Sequence, residues 1–161
     1  RVLDAGCGAG VPVAKTLSHH VQVTGIDISE TQIALARSLA PEAQFLCMDM
    51  TEAAFQESSF DAIISYYAII HVPREAHEGL LQSFHRLLKP GGLLLVTMGS
   101  SDLPTDVDDD FFGAPMYWSH YDADTNLELI RRCGFEIVRA ERIPDRTTSV
   151  GSHLFVLGRK L

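Results

Sequence analysis

Little in these 161 residues would tie them to a membrane, a polyanion or a metal. No stretch approaches the roughly 18 consecutive apolar residues that a membrane helix needs, and no signal-peptide pattern opens the chain. Positive charge is scarce: 13 Lys and Arg against 21 Asp and Glu leave a formal net charge of −8. That balance argues against DNA, RNA and anionic membrane surfaces as partners, because phosphates attract Lys and Arg rather than surplus carboxylate. Cysteine is limited to Cys7, Cys47 and Cys133, odd in number and without CxxC or Cys/His spacing. A disulfide framework and a zinc site are therefore not expected, and a reducing cytoplasm is the expected compartment. There is no internal repeat and no low-complexity tract. Asp108-Asp109-Asp110 reads as a solvated run rather than a metal site. An initiator methionine is also missing, and Arg1 stands within a strand-like run, so an upstream segment is expected to have been removed.

What is present suffices for one domain over 1–161, with 46% hydrophobic residues to fill a single core. Short apolar runs alternate with segments of helical period, the mark of repeated βαβ units and a mostly parallel sheet. Arg1 to Ala5 reads as a first strand, followed by the turn Gly6-Cys7-Gly8-Ala9-Gly10 and a helix to about Ser18. Val21 to Ile26 is a second strand; Ser29 caps a helix that Pro41 stops. Ala43 to Met48 and Phe60 to Ser65 are the third and fourth strands. A helix with Leu80, Leu81, Phe84, Leu87 and Leu88 on one face follows, then a turn at Lys89-Pro90-Gly91-Gly92 and a fifth strand, Leu93 to Met98, suited to burial on both faces. Gly99 to Tyr121 has no period and reads as a long loop on the substrate side. Asp122 to Cys133 is a helix ended by Gly134. Two more strands, Phe135 to Ile143 and His153 to Lys160, lack a helix between them and should be antiparallel neighbours across a turn at Pro144 to Ser152. The expected architecture is α/β: a doubly wound, Rossmann-like sheet of seven mostly parallel strands with an antiparallel last strand and helices on both faces.

Chemistry begins at Val2-Leu3-Asp4-Ala5-Gly6-Cys7-Gly8-Ala9-Gly10. A strand that stops at glycines before a helix exposes backbone N–H groups and lets a ligand approach the main chain, as in nucleotide sites. A dinucleotide fingerprint GxGxxG would need a third glycine at position 11, which is Val11 here. Asp27, at the end of the second strand, stands where a carboxylate accepts hydrogen bonds from ribose hydroxyls in either kind of cofactor. Alone it does not discriminate.

Asp4-Ala5-Gly6-Cys7-Gly8-Ala9-Gly10 resembles the first motif of the class I methyltransferases that bind S-adenosylmethionine. Gly25 to Ser29 is similar to the family's second motif, Cys47 to Met50 to its third, Phe60 to Ser65 to its fourth, and Leu87 to Val96 to its fifth. The resemblance implies S-adenosylmethionine as cofactor, with S-adenosylhomocysteine as product. It implies that Asp4, Ala5, Gly6, Gly8 and Gly10 shape the loop around the methionine end, with Asp4 near the ammonium directly or through water. Asp27 would hold the ribose and Asp49 would accept the adenine amino group. Ile28, Met48 and Met50 would contact the ring, and Ser65 and Tyr66 would lie by the methionine moiety. For Asp49, helix capping is a close alternative, and Met48 and Met50 also fit ordinary core.

Two histidines are candidates for a base or acceptor-orienting group. His71, in Tyr67-Ala68-Ile69-Ile70-His71-Val72-Pro73, follows the fourth strand at the carboxyl edge of the sheet; local packing at a helix start is its structural alternative. His120 lies in Met116-Tyr117-Trp118-Ser119-His120-Tyr121, whose aromatics would wall an acceptor pocket or cover the core. His77 and His85 read as helix-surface residues, and Cys7 as a small residue in a tight turn. No Asn/Asp-Pro-Pro-aromatic motif follows the fourth strand, where Ser65-Tyr66-Tyr67-Ala68 stands instead, which speaks against nucleobase and glutamine nitrogens. A small-molecule acceptor, methylated on O, N or C, is the leading expectation. A non-catalytic S-adenosylmethionine-binding domain and, further off, a nicotinamide-dependent oxidoreductase remain alternatives.

Overall fold

A computed structural model of the chain describes residues 1–111, 113–144 and 152–161. Its main sheet is built from β1 (Val2–Ala5), β2 (Val23–Asp27), β3 (Gln44–Cys47), β4 (Phe60–Ser65), β5 (Leu88–Gly99), β8 (Phe135–Pro144) and β9 (Ser152–Lys160). The spatial order is β3-β2-β1-β4-β5-β9-β8. The first five strands are parallel, and β9 runs antiparallel between β5 and β8. This is the doubly wound, mostly parallel sheet the sequence pattern implies. The turn expected at Pro144 to Ser152 falls on 145–151, outside the described residues.

Alternation along the central strands sorts side chains to two faces. Leu3, Ile63, Leu94 and Val156 point to a core shared with α3 (His77–Leu87) and α4 (Ala123–Arg132). Val2, Val23 and Phe45 face α1 (Val13–Ser18) and α2 (Glu30–Leu39), meeting Ala14, Ile33 and Ala36. Caps set the helix starts: Ser29 Oγ accepts from Gln32 N at 3.3 Å, and Asp122 Oδ1 accepts from Thr125 N at 2.8 Å. Within α3, Leu80, Leu81, Phe84 and Leu87 form the buried stripe.

Four expectations need correction. The expected loop 99–121 contains a hairpin of β6 (Leu103–Phe111) and β7 (Ala114–His120), paired antiparallel as a separate two-stranded sheet. Its strands escaped the pattern because β6 is exposed over almost its whole length, so no inside-outside alternation marks it. The expected turn 89–92 is instead part of β5, where a register shift sets Phe60 opposite Leu88 and Ala62 opposite Leu93. Burial of β5 on both faces holds at Val96, Thr97 and Met98 but fails at Leu93 and Leu95, which stay 39% and 36% exposed. His77 is fully buried rather than on the helix surface. One ring nitrogen of His77 bonds the Val72 carbonyl at 2.9 Å, and burial lowers its pKa.

Sequence order reverses at β1, which has β2 on one side and β4 on the other. The crevice at the carboxyl ends of these strands is where open α/β sheets receive ligands. Each segment singled out in the sequence, after β1, β2, β3 and β4, ends there.

Candidate functional site

The glycine turn after β1 is pinned to the end of β2, because Gly6 N and Cys7 N both donate to the Ile26 carbonyl at 2.9 Å. Gly6 has φ +78°, and a Cβ there would lie 2.2 Å from Ala68 Cβ, so this glycine is required by the packing of the turn against the segment after β4. Gly8 differs. It has φ +53°, and a Cβ would meet only Gln32 Oε1 at 4.0 Å, leaving main chain open toward a ligand. Gly10 is buried against Phe45 and Ala36. Cys7 is nearly buried, and desolvation pushes its thiol up to about 12, which makes it a packing residue rather than a nucleophile.

Three carboxylates surround this turn, each held differently. Asp27 Oδ2 accepts from Gly8 N and its Oδ1 from Ser29 N, both at 2.9 Å. It therefore locks the turn to β2, and each oxygen keeps a further lone pair for a ligand hydroxyl. Asp49 caps a 3₁₀ turn at Met50–Glu52, its Oδ1 accepting from Thr51 N at 2.8 Å and Thr51 Oγ1 at 2.7 Å. Capping and ligand binding are thus compatible at Asp49, since the cap uses one oxygen. Asp4 is 1% exposed, and its Oδ2 has no hydrogen-bond partner among the described residues. Burial raises its pKa from 3.8 to about 7; the Ala14 N–H partly offsets that, and the nearby charge of Asp27 adds to it. A buried carboxylate with an unmet oxygen beside a bare-backbone turn suits a cationic ligand group.

These residues line one cavity of about 1050 Å³. Of the expected cofactor residues, Asp4, Gly6, Gly8, Asp27, Ile28, Met48, Asp49, Met50 and Tyr66 are on its wall. Ala5, Gly10 and Ser65 are not: Ala5 and Ser65 are fully buried behind the wall. Sequence reasoning overlooked Gln32 and Thr51, which also line it; Ala114, Pro115 and Met116 line it from within 99–121, the segment expected on the substrate side but not resolved there to single residues. Gln32 and Thr51 carried no signal beyond that of ordinary polar residues at helix starts, and the hairpin carried no strand signal.

Part of the cavity wall is aromatic. Tyr66 and Tyr67 meet edge to face at 4.7 Å, and Tyr67 also touches Phe155 and His153. His71 lines the wall from a 3₁₀ turn at Ile69–His71. Its Nδ1 lies 2.7 Å from the Tyr117 carbonyl oxygen. A carbonyl only accepts, so Nδ1 carries the proton and, in the neutral ring, the lone pair is on Nε2. His120 is placed apart from the cavity wall. Its Nδ1 donates to the Ser101 carbonyl at 2.7 Å, and its ring covers Gly99, where a Cβ would come within 2.0 Å.

Comparison with known proteins shows what the chain is similar to. A family model described as a methyltransferase domain matches residues 2–92, more than half of the chain. The chain is 34% identical over 100 residues to a sterol 24-C-methyltransferase of Gibberella zeae, covering 58% of this chain and 26% of that protein. It is 31% identical over 154 residues to phosphoethanolamine N-methyltransferase 3 of Arabidopsis thaliana, covering 91% of this chain and 30% of that one. The chain thus spans about a quarter to a third of the length of these relatives. Among solved structures, it matches the Burkholderia thailandensis 1,6-didemethyltoxoflavin-N1-methyltransferase with bound S-adenosylhomocysteine. That match has a TM-score of 0.77 and 25% identity, covering 99% of this chain and 70% of that one.

Proposed function

Because this chain belongs to the class I S-adenosylmethionine-dependent methyltransferases, we propose that it transfers a methyl group from S-adenosylmethionine to a small-molecule acceptor in the cavity at the carboxyl edge of the sheet. The carrying observation is that one cavity joins the bare Gly8 backbone, Asp4, Asp27 and Asp49 to the aromatic part of the wall containing His71. The residues fit the cofactor chemically. The unmet Asp4 oxygen suits the ammonium, and Asp27 suits the ribose hydroxyls with the lone pairs its backbone donors leave over. Asp49 would accept the adenine amino group through the oxygen that Thr51 does not use, with Ile28, Met48 and Met50 against the ring. Tyr66 contributes wall near the methionine moiety, while Ala5, Gly10 and Ser65 support the wall from beneath.

When bound, the cofactor supplies an activated methyl on a sulfonium and departs as S-adenosylhomocysteine. The chain's part is to align an acceptor in line with that methyl and, where the acceptor carries a proton, to receive it at His71 Nε2. His71 is preferred over His120, whose ring lies away from the wall. The two relatives and the solved structure act, by their names, on a sterol, phosphoethanolamine and a toxoflavin precursor, which supports a small acceptor. The net charge of −8 supports exclusion of nucleic acid. Free thiols at Cys7, Cys47 and Cys133 support a reducing cytoplasm.

Calorimetry with S-adenosylmethionine and a labelled-methyl screen of phenols, amines and carboxylates test this reading in the full-length protein. Binding with turnover of at least one class is expected. Absence of binding would overturn the reading, and binding without turnover across the screen would favour a sensor or scaffold. In His71→Ala, transfer to a protonated acceptor should fall about 100-fold or more, within the range of general acid-base catalysis, while cofactor affinity stays unchanged.

A further inference from the structure

The hairpin was invisible in the sequence, yet two of its residues reach the segment that bears the candidate base. Tyr117 offers its carbonyl to His71 Nδ1 at 2.7 Å, and the Trp118 ring lies against the imidazole with centroids 5.7 Å apart. Trp118 is itself braced within the hairpin, its ring meeting Phe111 edge to face at 5.1 Å. One residue further along, Ser119 Oγ accepts from Arg74 N at 3.1 Å and donates to the Pro104 carbonyl at 2.6 Å. The hairpin is therefore fastened in step along the chain, Tyr117 to His71 and Ser119 to Arg74.

A neutral imidazole has two tautomers, and only the one protonated at Nδ1 has a lone pair at Nε2 to take a proton. In water the alternative, protonated at Nε2, is readily accessible. A base is effective when a third group fixes its tautomer and orientation. We propose that the β6–β7 hairpin positions the base: the Tyr117 carbonyl selects the His71 tautomer with a bare Nε2, and the Trp118 ring holds the imidazole plane so that Nε2 addresses the acceptor. This rests on the reading of His71 as a base. The acceptor's X–H proton passes to Nε2 as the X–CH₃ bond forms and the sulfur–methyl bond breaks. The resulting imidazolium keeps its Nδ1–H bond to Tyr117. Since Ala114, Pro115 and Met116 of the same hairpin line the cavity, the element that contacts the acceptor also arms the base.

The test is the tautomer itself, read by long-range proton–nitrogen NMR of nitrogen-15-labelled protein at mildly alkaline pH, with the His71 signals assigned by their loss in His71→Gln. The wild type should show the form protonated at Nδ1. Trp118→Leu should shift His71 toward a tautomer mixture and lower kcat about 10-fold, at the lower end of what acid-base catalysis contributes, with the cofactor KM unchanged. Trp118→Phe, which keeps an aromatic face, should restore most of both properties and guards against a folding defect in the leucine variant. A wild-type His71 protonated at Nε2 would overturn the proposal. So would a Trp118→Leu protein that keeps both the tautomer and kcat. If the spectra behave as expected but His71→Gln turns over like wild type, the base reading falls and the hairpin contact is structural alone.

Discussion

Two parts of the cavity wall are built on opposite principles. At the rim formed by the first three strands, the ligand wall is backbone and short carboxylates fixed by the sheet: Gly6 and Cys7 hang from Ile26, and Asp27 clamps Gly8. Elsewhere the wall comes from Tyr67, His71 and Met116, the last of them on a separate hairpin outside the main sheet. The first part tolerates little change of geometry, because the turn and Asp27 are tied to each other and to β2. The second is made of side chains whose size and rotamer can vary without disturbing β1 to β5. A fixed cofactor combined with a variable acceptor calls for this division.

The sharpest way to break the comparison is at the two turn glycines. Gly6→Ala should destabilise the protein by about 4 kcal/mol, adding the strain of a side chain at positive φ to a clash with Ala68. Gly8→Ala meets no such wall, so it should cost only about 1 kcal/mol of stability for its backbone conformation. It should nevertheless abolish cofactor binding by placing a methyl where the ligand approaches. Urea unfolding and calorimetry on both variants check this pair; equal unfolding midpoints would show that Gly6 does not serve packing.

Asp4 gives an effect of similar size with a pH signature. Unfolded, its carboxyl ionises near 3.8; folded, only at about 7. The folded state therefore favours the protonated form, so this contribution to stability is full below about pH 4 and is lost as pH rises through about 7, by at most about 4 kcal/mol. Asp4→Asn should flatten that loss in denaturation measured on either side of the window, while weakening cofactor binding. In the wild type, a bound ammonium favours the ionised carboxylate, so cofactor binding below about pH 7 should release a proton, visible in calorimetry as a dependence on buffer ionisation enthalpy.

Asp27→Asn should be milder. One of the two backbone donors, Gly8 N or Ser29 N, is left facing an amide NH2 while the other keeps only a neutral acceptor, and the ribose loses its carboxylate, so cofactor affinity should drop by about 2 kcal/mol, roughly 30-fold. Acceptor KM should stay constant at saturating cofactor. A change in acceptor KM of the same size would dissolve the boundary between the two parts.

How far the sequence could be read follows the same boundary. The rim was legible because its signals are local: glycines at alternate positions after a buried run, Asp27 at the end of β2 and Asp49 just past β3. The parallel sheet was legible because β1, β2 and β4 are short apolar runs between helices. The hairpin was not, since β6 contains Pro104 and four aspartates and is exposed, so its pairing and its few side-chain contacts to β7 leave no periodic apolar signal. His77 was misread for a related reason: a histidine in the first turn of a helix looks solvated until the chain around Val72 folds over it. His71 at the cavity was legible, because it follows β4 at the carboxyl edge of the sheet; that His120 stands apart from the wall depended on the hairpin, and so was beyond the sequence.

Met116 supplies the smallest and most selective test. It is half-buried, lies on β7 and lines the cavity with Pro115, so its thioether adapts to whatever the acceptor presents. Met116→Ala removes wall without touching a hydrogen bond, and should raise the KM of a bulky apolar acceptor by about 5- to 10-fold, the equivalent of roughly 1 kcal/mol of lost apolar contact. A smaller acceptor should lose less, because it reaches less of that wall. Cofactor affinity, set by groups on or just past β1 to β3 that the hairpin does not hold, should stay within about 2-fold. Steady-state kinetics with two acceptors of different size, alongside cofactor calorimetry, measures both quantities on one protein. A Met116→Ala enzyme that lost cofactor affinity while keeping its acceptor preference would mean the hairpin closes on the cofactor, and the division between a rigid rim and an adaptable cover would have to be redrawn.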